Sequence, residues 1–185
     1  MADWQVRLLG NFEVWRDQTP QGHAFETDSA RALFAWLCLN YGKTIRRDAL
    51  AALIWPDKPQ TAALSALRTT LTRIRRALDA GADGLSPLHA DTQTVTLTLS
   101  DEWTVDALRF EQNIAHAQAH PHRRVIGCPT CLDVLRQAVA CYEGELLAGL
   151  SIESDAFQDW LTHQREHFHR AALEAMGHLA ERALL

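Results

Sequence analysis

Residues 61–78 read TAALSALRTTLTRIRRAL, a run whose leucines and arginines keep to separate sides of a helix. Leu64, Leu67, Leu71, Ile74 and Leu78 recur at alternating spacings of three and four. That rhythm places them on one stripe of a helix, so the stripe must face a core. The other side presents Ser65, Arg68, Thr69, Thr72, Arg73 and Arg76. Between residues 60 and 78 the chain has four arginines and no acid. Arginine donates a bidentate pair to guanine O6 and N7, and threonine meets phosphates or the thymine methyl. An arginine face on a helix is also commonly a plain solvated surface, so the flanking elements must weigh between the two readings.

Upstream, WQVRLLGNFEVWRD (4–17) alternates apolar positions at Val6, Leu8, Phe12 and Val14 around Gly10-Asn11. It predicts a strand with a bulge, or two short strands. Thr27 is an N-cap for a helix over about 28–40, with Ala30, Leu33, Phe34, Leu37 and Cys38 on its apolar face and Gly42 as its stop. A second helix, about 47–55, buries Leu50, Leu53 and Ile54 and ends at Pro56. Downstream, LHADTQTVTLTL (88–99) predicts a hairpin turning near 91–93, with Thr92 and Gln93 at its tip, within reach of a DNA backbone or minor groove. Strands, three helices and a hairpin form the order of an α+β winged helix-turn-helix, in which the third helix enters the major groove.

From Val105 the pattern is helical. Asp106 caps a helix to about 119, a second runs from about 130 to 142, and a long amphipathic helix follows Ser154. Its apolar side holds Phe157, Leu161, Phe168, Ala172, Ala175, Met176 and Leu179. The boundary near residue 104 divides the chain into a winged-helix domain, 1–102, and an all-α domain, 103–185. Charge divides there too. Residues 1–99 are net +1 and the remainder net −6, within a total of −5 over 185 residues. The total argues against a nucleic-acid binder, and the clustering of arginines on one segment argues for it.

No run approaches the roughly 18 apolar residues of a membrane helix, and MADWQVRLLG does not read as a signal peptide. The expectation is a cytoplasmic protein with reduced cysteines and no membrane partner. Cys38 and Cys141 sit among apolar residues and read as buried thiols.

A second constellation, HPHRRVIGCPTC (120–131), brings His120, His122, Cys128 and Cys131 into twelve residues. The pattern is not that of a zinc deaminase, because no Glu follows either histidine at H-x-E spacing and the proline lies inside the cysteine pair. His163 and His167 are four apart, but Gln164 stands where H-E-x-x-H requires Glu. No Gly-rich phosphate loop or nucleophile elbow is present, and the chain does not read as an enzyme. Cys-x-x-Cys at a helix start fits a redox thiol, although the βαβ context of that chemistry is missing. The remaining readings are a bland loop and a structural zinc site formed by His120, His122, Cys128 and Cys131. No cofactor is otherwise required.

The ordered set LLGNFEVW, TDSARALFAWLCLNYGKTIRRDALAALIWPD, ALSALRTTLTRIRRAL, VDALRFE and AVACYEGELLAGL resembles the SARP type of bacterial transcriptional activator. That family joins an OmpR-like winged helix to a bacterial transcriptional activation domain (BTAD) of tetratricopeptide-like (TPR-like) helix pairs. The resemblance covers nearly the whole chain. It implies sequence-specific binding to promoter DNA, often at direct repeats, with activation through RNA polymerase or another protomer. Carried over by position, Arg46, Arg47, Ser65, Arg68, Thr69, Thr72, Arg73, Arg76, Thr92 and Gln93 are the DNA-contacting candidates. Arg46 departs from the family's Ser or Thr before the second helix, which weakens the N-cap and adds a cation near the phosphates. The helical part is short for the family, which implies further chain beyond residue 185. The competing reading is a protein-interaction module whose winged helix does not bind DNA.

Overall fold

The structure, a computed structural model, describes residues 3–22, 25–79, 86–121 and 124–184. The chain begins with β1 (Trp4–Arg7), β2 (Glu13–Arg16) and β3 (Thr19–Pro20), followed by α1 (Asp28–Leu39), β4 (Ile45–Arg46), α2 (Arg47–Ile54) and α3 (Gln60–Asp79). A hairpin of β5 (Leu88–Ala90) and β6 (Thr94–Leu97) leads through β7 (Trp103–Val105) to α4 (Asp106–Ala119), α5 (Pro129–Cys141) and α6 (Asp155–Ala183). The architecture is α+β, with two small sheets.

The first sheet has the order β3-β2-β1-β7 and the second β4-β6-β5. In the first, β1 runs antiparallel to β2, with Val6 opposite Val14, and parallel to β7, with Val6 opposite Val105. Gly10, at φ 123°, makes the turn between β1 and β2 that side-chain-bearing residues rarely adopt. Three of these strands, β3, β4 and β7, are absent from the sequence reading. Two or three residues are too short for a period-2 signal, and tertiary pairing alone defines them. The strand β7 also starts at the position taken as the first residue of an all-α domain, and it belongs by pairing to the N-terminal sheet.

Side-chain caps start α1 and α6. At α4 the cap position is Val105, which makes no capping bond, so Asp106, expected as the cap, is instead the first helical residue. Thr27 accepts the N–H of Ala30 at the start of α1. At α2 the cap position is Arg46, which makes no capping bond, as its residue type requires. Ser154 caps α6 by accepting the N–H of Phe157, and its hydroxyl donates to the carbonyl of Leu53 at 2.6 Å. One side chain therefore starts the last helix and ties it to α2. Met176, assigned from the periodicity to the apolar side of α6, is 37% exposed, and Leu173 is 56% exposed. Cys141, read as buried, is only half-buried.

The main core runs through both halves, from Leu8, Phe34, Leu67 and Ile74 to Phe110, Leu147, Phe157 and Phe168. The segment after α5 docks on the end of β1: Leu147 N–H donates to Leu8 O at 2.7 Å, and Ala148 N–H to Gly10 O at 2.8 Å. Asp106 closes the same junction. Its Oδ1 accepts the N–H of Leu8 at 2.8 Å and its Oδ2 that of Leu9 at 2.9 Å.

Burial pushes the Asp106 carboxyl up to about 6, against the opposing pull of N–H donors from Leu9, Leu8 and Ala107 and of the Arg7 cation. A carboxyl whose folded value lies above its unfolded one contributes stability fully present below about pH 4 and lost as pH rises through about 6. The gap corresponds to about 3 kcal/mol. Asp106→Asn cannot ionise, so its stability relative to wild type should improve by about that much between pH 4 and 7. Urea midpoints at the two pH values measure it, and a pH-independent difference contradicts the assignment.

Candidate nucleic-acid interface

The third helix is positioned by its leucine stripe. Leu67, Leu71, Ile74 and Leu78 are buried and Leu64 is half-buried, so the stripe docks α3 on the core as its spacing requires. At 20 residues the helix is about 30 Å long, which suits a major groove. Ser65, Arg68, Thr69, Thr72, Arg73 and Arg76 all emerge exposed on the outer side. The structure thus brings these six candidates onto one face. Among the described residues, Arg68, Arg73 and Arg76 have no acidic partner.

The threonines on that face are partly committed. Thr69 Oγ1 donates to Ser65 O and Thr72 Oγ1 to Arg68 O, each one turn back. The single donor of each hydroxyl is therefore spent within the helix.

The hairpin is held beside α3 by a residue the sequence reading did not assign. Arg75 donates through Nε and Nη2 to the carbonyl of Leu88 at 3.3 and 3.0 Å, tying α3 to β5. The available signal was its place: it follows Ile74 at the edge of the leucine stripe, where a guanidinium reaches a neighbouring element instead of solvent. At the tip, Asp91 accepts from the N–H groups of Gln93 and Thr94 and from the Thr94 hydroxyl. Those donors hold its carboxyl below the usual carboxylate range. Thr92 and Gln93 are exposed on this fixed turn.

Arg46 and Arg47 take different places. Arg47 Nη1 donates to Asp91 O at 2.8 Å, and its N–H to Gln93 O at 2.8 Å, so it anchors the hairpin tip to α2. Arg46 is exposed but forms a two-pronged pair with Asp48, at 3.0 and 2.6 Å. The Asp48 hydrogen bond raises the guanidinium's affinity for its proton, and the Arg46 hydrogen bond holds the Asp48 carboxyl below its ordinary value. The extra cation expected from Arg46 thus arrives with its own counter-charge.

The second constellation lies between α4 and α5. His120, Cys128 and Cys131 come together, with their ligand atoms within 4.8 Å of one another. His122, the fourth member of the sequence set, lies outside the described residues. His163 and His167 are exposed on α6; His167 faces Glu111 at 3.3 Å.

Residues 105–185 match the family described as the bacterial transcriptional activator domain, BTAD. Over 145 residues, 77% of its length, the chain is 32% identical to the regulatory protein AfsR of Streptomyces coelicolor, of which it spans 14%. It superposes over 99% of its length on EmbR of Mycobacterium tuberculosis, solved in complex with a low-affinity phosphopeptide, with a TM-score of 0.71 and 22% identity. It covers 45% of that chain. Among the described residues, no helix is long and apolar enough to cross a membrane.

Proposed function

We propose that this chain, a member of the SARP family of bacterial transcriptional regulators, binds promoter DNA in a sequence-specific way and activates transcription. In this reading α3 lies in the major groove. Arg68, Arg73 and Arg76 reach base edges and phosphates, and Ser65, Thr69 and Thr72 fill the close approach between them. The hairpin tip, with Thr92 and Gln93, touches the neighbouring backbone. Arg47 and Arg75 set the angle between hairpin and helix, and Arg46 stands at the flank of the same surface. The winged helix extends through β7, which pairs into its sheet, and is followed by a BTAD of TPR-like helix pairs. Those helices contact RNA polymerase or a second protomer, and the protein works in the cytoplasm without catalytic chemistry.

The observation that carries the proposal is the outer face of α3. Three arginines stand exposed there without an acidic partner among the described residues, on a helix docked by its opposite side. Neutralising phosphates releases counterions, so affinity for promoter fragments should fall linearly with the logarithm of salt concentration, with a slope near −0.9 per phosphate contact. A slope of roughly −3 or steeper fits a helix and hairpin engaging the backbone together. Binding that ignores salt sinks the proposal. The net charge of −5 and Asp91 at the hairpin tip favour the second reading, an interaction module that leaves DNA alone. The same titration separates the two, since that module binds no promoter fragment at any salt.

A further inference from the structure

The cluster at the α4–α5 turn plays no part in DNA recognition. His120 is the C-cap of α4, Cys128 the N-cap of α5, and Cys131 lies in the first turn of α5. The end of α4 therefore delivers one ligand-bearing side chain and the start of α5 two, all to one spot. Cys128 Sγ and His120 Nδ1 are 3.6 Å apart, and all three ligand atoms fall within 4.8 Å of one another.

These separations match a specific ion. Zinc takes thiolate at about 2.3 Å and imidazole nitrogen at about 2.0–2.1 Å in a tetrahedron, which puts a sulfur–nitrogen ligand pair about 3.6 Å apart and two sulfurs about 3.8 Å apart. The Cys128–His120 pair already has that spacing, and the Cys131 ligand atom lies within 4.8 Å of both others. Thiolate with imidazole is a ligand set for zinc, whereas magnesium and calcium take oxygen.

The surroundings say what the ion would do. A small apolar cluster of Ala117, Cys131, Leu135 and Ala175 forms a core separate from the main one, and it packs α4, α5 and α6 together here. The connection between α4 and α5 gives it little more: Ile126 is buried, and Val125 and Cys128 pack against it. Cys131 itself is fully buried, with its Sγ 3.9 Å from Ala117 O. A metal held there would clip the end of α4 to the start of α5 where apolar burial is thin.

We infer that His120 Nδ1, Cys128 Sγ and Cys131 Sγ bind one zinc ion, with solvent in the fourth tetrahedral position, and that the ion fixes the α4–α5 turn. Binding converts both thiols to thiolates and releases two protons to solvent. The inference is independent of DNA binding.

The test starts with chain purified from zinc-supplemented cells. Elemental analysis should give one zinc per chain. Cys128 and Cys131 should resist a thiol reagent until a chelator removes the metal, and the melting temperature should fall on removal. Cobalt(II) taken up by the stripped chain should show thiolate-to-metal charge transfer and the absorption of a tetrahedral site. Cys131→Ser risks the small core, so the variant of choice is His120→Ala at the half-exposed helix end. It should weaken metal affinity tenfold or more, while His163→Ala leaves it unchanged. A metal-free chain whose cobalt spectrum lacks thiolate charge transfer overturns the assignment. So does a metal-free chain whose two thiols appear only after reduction, because the pair is then a disulfide.

Discussion

Replacing Arg73 and Arg76 together with alanine should lower affinity for promoter DNA on the order of a hundredfold. Each bidentate base contact is worth about 1–3 kcal/mol, and each lost phosphate contact removes about one unit of the salt slope. Both side chains are exposed on α3 and have no acidic partner among the described residues, so their removal leaves the core intact. Stability should stay within about 0.5 kcal/mol of wild type, as for ordinary surface substitutions. Gel-shift titration at fixed salt, paired with a melting curve, reads both quantities. An affinity within twofold of wild type would move recognition off this face of α3. A large loss of stability would mean that the arginines serve the fold.

Phe110→Ala should destabilise the protein by about 3–5 kcal/mol, a large part of the roughly 5–15 kcal/mol that holds a typical domain. The ring is fully buried at the start of α4. It meets Phe168 of α6 at 5.7 Å, edge to face, and Tyr142 at 6.1 Å. Its removal opens a cavity among three elements that cannot all collapse into it. The shared core extends the consequence. Five of the six tryptophans lie between residues 4 and 103, and Trp4 and Trp103 stack at 4.7 Å in the N-terminal sheet, so fluorescence reports mainly on the other half of the chain. Because Phe110 and the N-terminal sheet belong to one core, tryptophan fluorescence and helical circular dichroism should shift to lower denaturant together. A fluorescence transition that stays in place while the helical signal moves would show that the halves unfold independently.

The helices were legible because each carries several turns of periodic apolar residues and an interpretable end. Thr27, Ser154 and the leucine stripe of residues 64–78 needed no tertiary information. The strands β3, β4 and β7 were not legible, being created by pairing between distant segments. The junction of the halves was hidden for the same reason. Asp106 read simply as a helix cap, and nothing local says that its carboxylate accepts from Leu8 and Leu9, about a hundred residues away.

The candidate site divides in the same way. Helical periodicity placed Ser65, Arg68, Thr69, Thr72, Arg73 and Arg76 on one outward face, since a helix turns at a fixed rate. It could not separate arginines that point to solvent from those tied to a neighbour. Arg75 and Arg47 turn out to brace the hairpin through backbone carbonyls, and Arg46 is paired with Asp48. Met176 shows the complementary limit: an apolar stripe indicates which side is hydrophobic, not how much of it another element covers.

The most direct measurement is selection of bound sites from a random DNA pool, run in parallel with wild type and the Arg73→Ala, Arg76→Ala double variant. Wild type should enrich a defined sequence, repeated in one orientation where two sites occur, and the double variant should lose this enrichment. Recovery of DNA without sequence preference by wild type, or enrichment of the same sequence by the double variant, would contradict recognition through the arginine face of α3.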